Sequence, residues 1–119
     1  MRLKIITTAL IGGALAVAVP ASAATAHHSV KTTTITVAMS EFKFKLSKAS
    51  APKGKVIFKL TNKGQAAHDF KIHGKKSPLV APGKSATLTV TFLKTGKFPY
   101  LCTVPGHAAS GMKGTFTIK

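Results

Sequence analysis

The sequence is poor in several residue types that carry common chemistries. Its 119 residues include one cysteine, two acidic residues and a single arginine, Arg2. One cysteine excludes an internal disulfide and also an iron–sulfur cluster, which needs several thiolates. A structural zinc site is disfavoured as well, because such sites usually carry more cysteines. The lone thiol, Cys102, therefore calls for another explanation.

The scarcity of carboxylates leaves a strongly basic chain. Eighteen basic residues stand against Glu41 and Asp69, which gives a formal net charge of +16. Such a charge favours anionic partners and makes their association sensitive to salt. Nucleic acid is not the predicted partner. The lysines alternate with apolar residues, as on the solvated face of a sheet. No arginine follows Arg2, so the paired hydrogen bonds that a guanidinium group makes to phosphate or guanine are absent. We expect a monomer that meets acidic partner proteins transiently, or that contacts an anionic membrane or cell-wall surface weakly.

Residues 1–26 have the pattern of an export signal followed by a short tail. Two basic residues precede an apolar run over residues 5–19, and the sequence Pro-Ala-Ser-Ala at 20–23 ends it with the small residues that signal peptidase accepts. The run of about 15 residues is shorter than the roughly 20 needed to span a bilayer, which argues against a retained membrane anchor. We therefore predict cleavage near residue 23, a periplasmic or extracellular location, and one domain over residues 27–119.

The predicted domain has the pattern of an all-β fold. Short alternating runs are separated by turn residues, and no stretch has sustained apolar residues at the helical period. Strands without intervening helices favour a β-sandwich or barrel. The predicted strands are residues 34–38, 42–46, 55–61, 67–73, 86–92, 97–102 and 114–119. Seven phenylalanines are available for the core: Phe42, Phe44, Phe58, Phe70, Phe92, Phe98 and Phe116.

One segment near the C-terminus concentrates unusual side chains. Cys102, His107 and Met112 follow one another at the spacing Cys-x4-His-x4-Met, between two strand patterns. A Pro-Gly pair and a further glycine in this segment allow it to turn back on one point. A second imidazole, His68, lies upstream in the sequence Ala-Ala-His-Asp-Phe.

These four side chains suit copper better than any other common metal. Thiolate and thioether groups suit Cu(I), imidazoles also bind Cu(II), and two His and one Cys with a weak axial Met form the blue-copper ligand set. A bound metal also protects a thiol that would otherwise be oxidised outside the cell. We predict one copper ion, cycling between Cu(I) and Cu(II), held by His68, Cys102, His107 and Met112.

At these residues the chain resembles the plastocyanin/azurin family of cupredoxins, and the ligand spacing is most similar to that of auracyanins and rusticyanins. The resemblance covers roughly residues 33–119. It implies a Greek-key β-sandwich with copper at one end and single-electron transfer without substrate chemistry. Many family members have Asn after the first histidine, where this chain has Asp69. The resemblance implies that the backbone N–H of Asp69 points at the Cys102 sulfur and that its side chain ties the ligand loops together through Thr103.

We consider three functions for these four side chains. The leading hypothesis is a redox carrier without enzymatic activity, in which His107 reaches the surface through an apolar patch formed by Pro105, Gly106, Ala108 and Ala109. The alternative is extracytoplasmic copper storage, delivery or resistance, for which the same ligands would serve. A cysteine hydrolase built from Cys102, a histidine and Asp69 would need a substrate cleft and an oxyanion pocket, which nothing in the sequence indicates.

The remaining histidines are not predicted ligands of this site. His73 is expected on the surface or in a turn. His27 and His28 belong to a polar tail, although trimming to Thr25 would place His27 third from a free amine and create a Cu(II) chelate of amine, amides and imidazole.

Overall fold

The computed structural model describes residues 12–16, 18 and 31–119. The predicted cleavage position near residue 23, and the tail histidines at 27 and 28, lie outside the described residues and stay predictions. Within the described segments, no helix is long and apolar enough to cross a membrane.

Residues 31–119 form strands and turns, with no helix. The strands follow the alternation of the sequence: in the first, Ile35, Val37 and Met39 are buried while the intervening residues face outward. The predicted all-β class is confirmed. The strands are β1 (Thr32–Ser40), β2 (Lys43–Leu46), β3 (Ser50–Ala51), β4 (Gly54–Asn62), β5 (Lys71–Ile72), β6 (Lys75–Lys76), β7 (Ser85–Phe92), β8 (Gly96–Leu101) and β9 (Lys113–Ile118).

The strands form two sheets that enclose one core. The first sheet has the order β2-β1-β4-β7 and the second the order β3-β9-β8-β5-β6. Phe58 of the first sheet meets Phe116 of the second with ring centroids 5.4 Å apart. Four phenylalanine rings are fully buried in this core: Phe58, Phe70, Phe92 and Phe116.

Two expectations about the strands need correction. Phe42 was counted with the core, but it lies in the turn between β1 and β2 and is 42% exposed. The predicted strand over residues 67–73 is regular only at Lys71–Ile72. Residues before it leave the sheet, and His68 forms an isolated bridge to Val80 instead.

One end of the sandwich gathers the chemically interesting segments. β8 and β9 are antiparallel neighbours, so the loop that joins them over residues 102–112 emerges at one edge. β1 and β4 are parallel, with Met39 opposite Asn62, so the segments that follow both strands also emerge together. Lys63 donates its backbone N–H to the carbonyl of Met39 at 2.8 Å, which fixes the start of the second segment beside the first.

Candidate metal centre

The loop between β8 and β9 is closed by backbone hydrogen bonds at its base. Cys102 donates to the carbonyl of Met112 at 3.1 Å, and Met112 donates to the carbonyl of His107 at 3.0 Å. Gly106 and Gly111 have φ values of 82° and 113°, in the left-handed region that favours glycine, and so permit the two reversals inside the loop. The three residues predicted from this loop are thereby held close together.

Three of the four predicted ligand side chains converge on one point. The Nδ1 atoms of His68 and His107 are 3.1 Å apart, and the Cys102 Sγ lies 3.6 Å from the Nδ1 of His107. All three donor atoms lie within 4.8 Å of one another. Two ligand atoms on one ion, each bound at about 2.0–2.3 Å, lie at most about 4–4.6 Å apart, and the separations of 3.1 Å and 3.6 Å are within that limit. One metal ion therefore fits between them.

Met112, the fourth predicted ligand, lies at the end of the loop. Its side chain is fully buried, and its backbone bonds directly to Cys102 and His107. A thioether together with two imidazoles and a thiol would be the blue-copper donor set, and Met112 stays the predicted fourth ligand.

Exposure differs among these residues. His68 and Cys102 are buried, whereas His107 is half-buried. Around His107, the predicted patch has the exposed residues Pro105, Gly106 and Ala109 and the half-buried Ala108. His107 is thus the part of the site nearest to solvent.

The sulfur of Cys102 lies in surroundings that disfavour its charged form. Burial is the main cause that raises the pKa of the thiol above its ordinary value. The backbone N–H groups of Asp69 and Val104 act in the opposite direction, because their hydrogen bonds favour the thiolate. A cation at the site would supply the remaining stabilisation of the thiolate.

Asp69 joins the two ligand segments, as the resemblance implied. Its Oδ1 accepts the backbone N–H of Thr103 at 2.6 Å, and its Oδ2 accepts the hydroxyl of the same residue. Asp69 follows His68 in the chain, and Thr103 follows Cys102. The carboxylate therefore fixes one ligand segment against the other.

Two contacts with the site were not predicted from the sequence, and both come from the β1–β2 turn. The Oε1 atom of Glu41 lies 3.1 Å from Nε2 of His68. The ring of Phe42 meets the imidazole of His107 edge-on, with centroids 5.1 Å apart. One turn thus contacts both imidazoles.

The carboxylate of Glu41 is ionised at neutral pH. The backbone N–H of Ala66 is the main cause that lowers its pKa to about 2, and the backbone N–H of Gln65 and the His68 ring add to the effect. The sequence contains one signal that could have drawn attention to Glu41, because it is one of only two acidic residues in a strongly basic chain. Asp69 and Glu41 both lie beside the clustered donors.

His73 takes no part in the cluster. It is exposed in the turn between β5 and β6, as predicted, with its ring stacked on Phe92 at a centroid distance of 5.3 Å.

Comparison with known proteins agrees with this geometry. Residues 13–118 match the family model described as the cupredoxin-like domain. A crystal structure of dithionite-reduced auracyanin from Roseiflexus castenholzii is similar in fold, with a TM-score of 0.64 and 24% identity, over 73% of this chain and 97% of that one. Auracyanin A, a "blue" copper protein from Chloroflexus aurantiacus, has a TM-score of 0.62 and 18% identity, over 75% of this chain and all of its own. At these identities the likeness establishes the fold.

One curated relative is similar in sequence over a short segment. The copper-resistant cuproprotein CopI of Pseudomonas aeruginosa is 49% identical over 43 residues, which span 36% of this chain and 24% of the relative. The match thus covers about a quarter of that protein's length. Together, the fold and the donor set fit one copper ion.

Proposed function

Because the chain belongs to the family of cupredoxin-like domains, we propose that it is an exported type 1 (blue) copper protein that carries single electrons between redox partners. The convergence of His68, Cys102 and His107 within 4.8 Å is the observation that carries the proposal. Met112, buried at the end of the same loop, is the proposed fourth ligand. Copper, when bound, supplies the one-electron chemistry by changing between Cu(I) and Cu(II).

The protein's part in this function is to hold one set of donors for both oxidation states. A site that keeps its geometry needs little rearrangement when an electron arrives or leaves. The Asp69–Thr103 hydrogen bonds and the bonds at the base of the 102–112 loop support such rigidity. The donors themselves are a compromise, because sulfur ligands favour Cu(I) and imidazoles accept Cu(II).

Half-buried His107 is the proposed route for electrons between the site and a partner. Its small apolar neighbours, Pro105, Gly106, Ala108 and Ala109, would let another protein approach closely without a large desolvation cost. The excess of lysine would steer acidic partners and raise the rate of encounter, with a rate that falls as salt increases. We propose a monomer with transient partners and no catalytic activity of its own.

A second function, copper storage, delivery or resistance, is favoured by one observation. The relative with 49% identity over 43 residues is a copper-resistant cuproprotein. The same four side chains would then keep copper as Cu(I) and release it to another protein, and no redox partner would be needed.

Voltammetry and copper transfer on the copper-loaded protein separate the two functions. An electron carrier gives a reversible one-electron wave and retains Cu(I) in the presence of a moderate Cu(I) chelator. A protein for storage or delivery would give no reversible wave and would lose Cu(I) to the chelator. The second result would overturn electron transfer as the function.

A further inference from the structure

The Nε2 atom of His68 lies within hydrogen-bond distance of the carboxylate of Glu41. Nε2 lies 3.1 Å from Oε1, and the His68 side chain is 0% exposed. An ionised carboxylate only accepts hydrogen bonds, so the Nε2 atom must carry the proton. In a neutral imidazole the other nitrogen, Nδ1, is then free of a proton. That nitrogen faces the Nδ1 of His107, 3.1 Å away, in the cluster of donors.

The carboxylate is itself held in a fixed place. The same Oε1 atom accepts the backbone N–H of Gln65 at 2.8 Å and that of Ala66 at 2.6 Å. Gly64 leaves the room that this requires, because a Cβ atom there would lie 2.6 Å from Oε1 and 2.7 Å from Oε2. Any other residue at 64 would displace the carboxylate.

The segment that binds the carboxylate is also fixed from its other side. The amide nitrogen of buried Asn62 donates to the carbonyls of Ala66 and Val80, both at 2.8 Å. Its amide oxygen accepts the backbone N–H of Gly64 at 2.8 Å. Residues 62–68 therefore form a rigid cradle for the side chain of Glu41.

The negative charge of Glu41 also affects the metal site. Eighteen basic residues leave a formal net charge of +16, and only two carboxylates oppose it. One of the two, Glu41, bonds directly to a proposed metal ligand. A carboxylate on the outer nitrogen of a metal-binding histidine fixes the ring and raises its basicity. Greater basicity and a nearby negative charge both favour the more positive oxidation state of the ion.

We propose that Glu41 is a positioning residue for the metal centre: its carboxylate fixes the tautomer and orientation of His68 with Nδ1 towards the metal, and its charge lowers the reduction potential of bound copper. This inference rests on the proposed function, since it requires copper at the site. The β1–β2 turn thereby becomes a third segment of the site, beside the segment that carries His68 and the loop that carries Cys102, His107 and Met112.

Glu41→Gln and Glu41→Ala separate the two parts of the role. All three hydrogen bonds involve Oε1, so the glutamine oxygen can keep each of them while the charge is lost. Alanine removes both bonds and charge. Thr89→Lys is the control, because it raises the net charge by the same amount at an exposed position in the middle of β7.

Two measurements on the full copper-loaded proteins test the proposal. Voltammetry should give a higher reduction potential for both Glu41 variants than for the wild type, with little change for Thr89→Lys. Proton–nitrogen NMR of the diamagnetic Cu(I) form should retain the slowly exchanging Nε2 proton of His68 in the wild type and in Glu41→Gln. The signal should be lost in Glu41→Ala.

The outcomes separate this inference from the function on which it rests. A blue protein whose potential is unchanged in Glu41→Gln, or equally raised in Thr89→Lys, would overturn the role of the charge. A protected His68 proton in Glu41→Ala would overturn the role in orientation. A wild-type protein with no blue copper site would overturn the proposed function instead.

Discussion

Asp69 accepts two hydrogen bonds from Thr103, one from its backbone N–H and one from its hydroxyl. The residues are 34 positions apart in the chain, yet each directly follows a proposed copper ligand. The pair therefore links the segment that carries His68 to the loop that carries Cys102.

Asp69→Ala should loosen this link. The backbone N–H and hydroxyl of Thr103 would lose their acceptor, and hydrogen bonds to a charged group contribute about 1.5–3 kcal/mol. We expect the free energy of unfolding of the apoprotein, measured in urea, to fall by about that amount, and copper to dissociate faster. Thr103→Ser keeps both donors and should stay close to wild type; equal losses in the two variants would contradict this explanation.

Phe58→Ala and Phe42→Ala should differ strongly in stability. Phe58 is fully buried between Phe70 and Phe116, with centroid distances of 5.0 Å and 5.4 Å. Its truncation leaves a cavity, which typically costs about 3–5 kcal/mol. Phe42 is 42% exposed, so its truncation should cost much less in chemical denaturation. Similar losses for both would show that the turn residue belongs to the core after all.

Gly114→Ala should disturb the strand that leads to Cys102. Gly114 lies opposite Tyr100 in the β8–β9 ladder, and a Cβ atom at 114 would lie 2.5 Å from Cζ of that tyrosine. The ring must move, and overpacking of this kind costs about 1–3 kcal/mol. Combining the change with Tyr100→Ala should remove most of the added cost. Simple additivity of the two substitutions would exclude the steric cause.

The stability of the apoprotein should fall at high pH because of Cys102. Burial raises the pKa of its thiol above the ordinary value of 9.0, so the folded state holds the proton more tightly than the unfolded state. The resulting stability is present below pH 9.0 and is lost as the pH rises through the folded pKa. Urea unfolding of wild type and Cys102→Ser across this range tests the point, since lysine and tyrosine titration is common to both. Parallel curves would contradict it.

The parts of this structure that depend on local sequence could be predicted. Strands such as β1, β4 and β7 follow directly from alternation of apolar residues. The loop ligands lie within eleven residues of one another, so their spacing alone indicates a site. The predicted strand over residues 67–73 is the exception, because His68 in its first half bonds to Val80 and Glu41 rather than to a neighbouring strand.

The contacts that the sequence did not predict depend on the register of distant strands. Glu41 meets His68, 27 residues away, because β1 and β4 are parallel and end at the same edge. Alternation reveals which face of a strand is buried but not which strand becomes its neighbour. Phe42 was misassigned for a related reason. Phe42 and Phe44 alternate with lysines as in a strand, but Phe42 lies in the turn that precedes β2.

We propose that Cys102 holds copper as a thiolate. The most direct test is the absorption spectrum of the reduced apoprotein after addition of one equivalent of Cu(II), alongside Cys102→Ser folded to the same extent by circular dichroism. We predict an intense charge-transfer band in the red for the wild type, bleached by a reductant, and no such band in Cys102→Ser. A colourless wild-type protein that binds Cu(II), or a band that survives in Cys102→Ser, would show that the Cys102 sulfur is not a copper ligand.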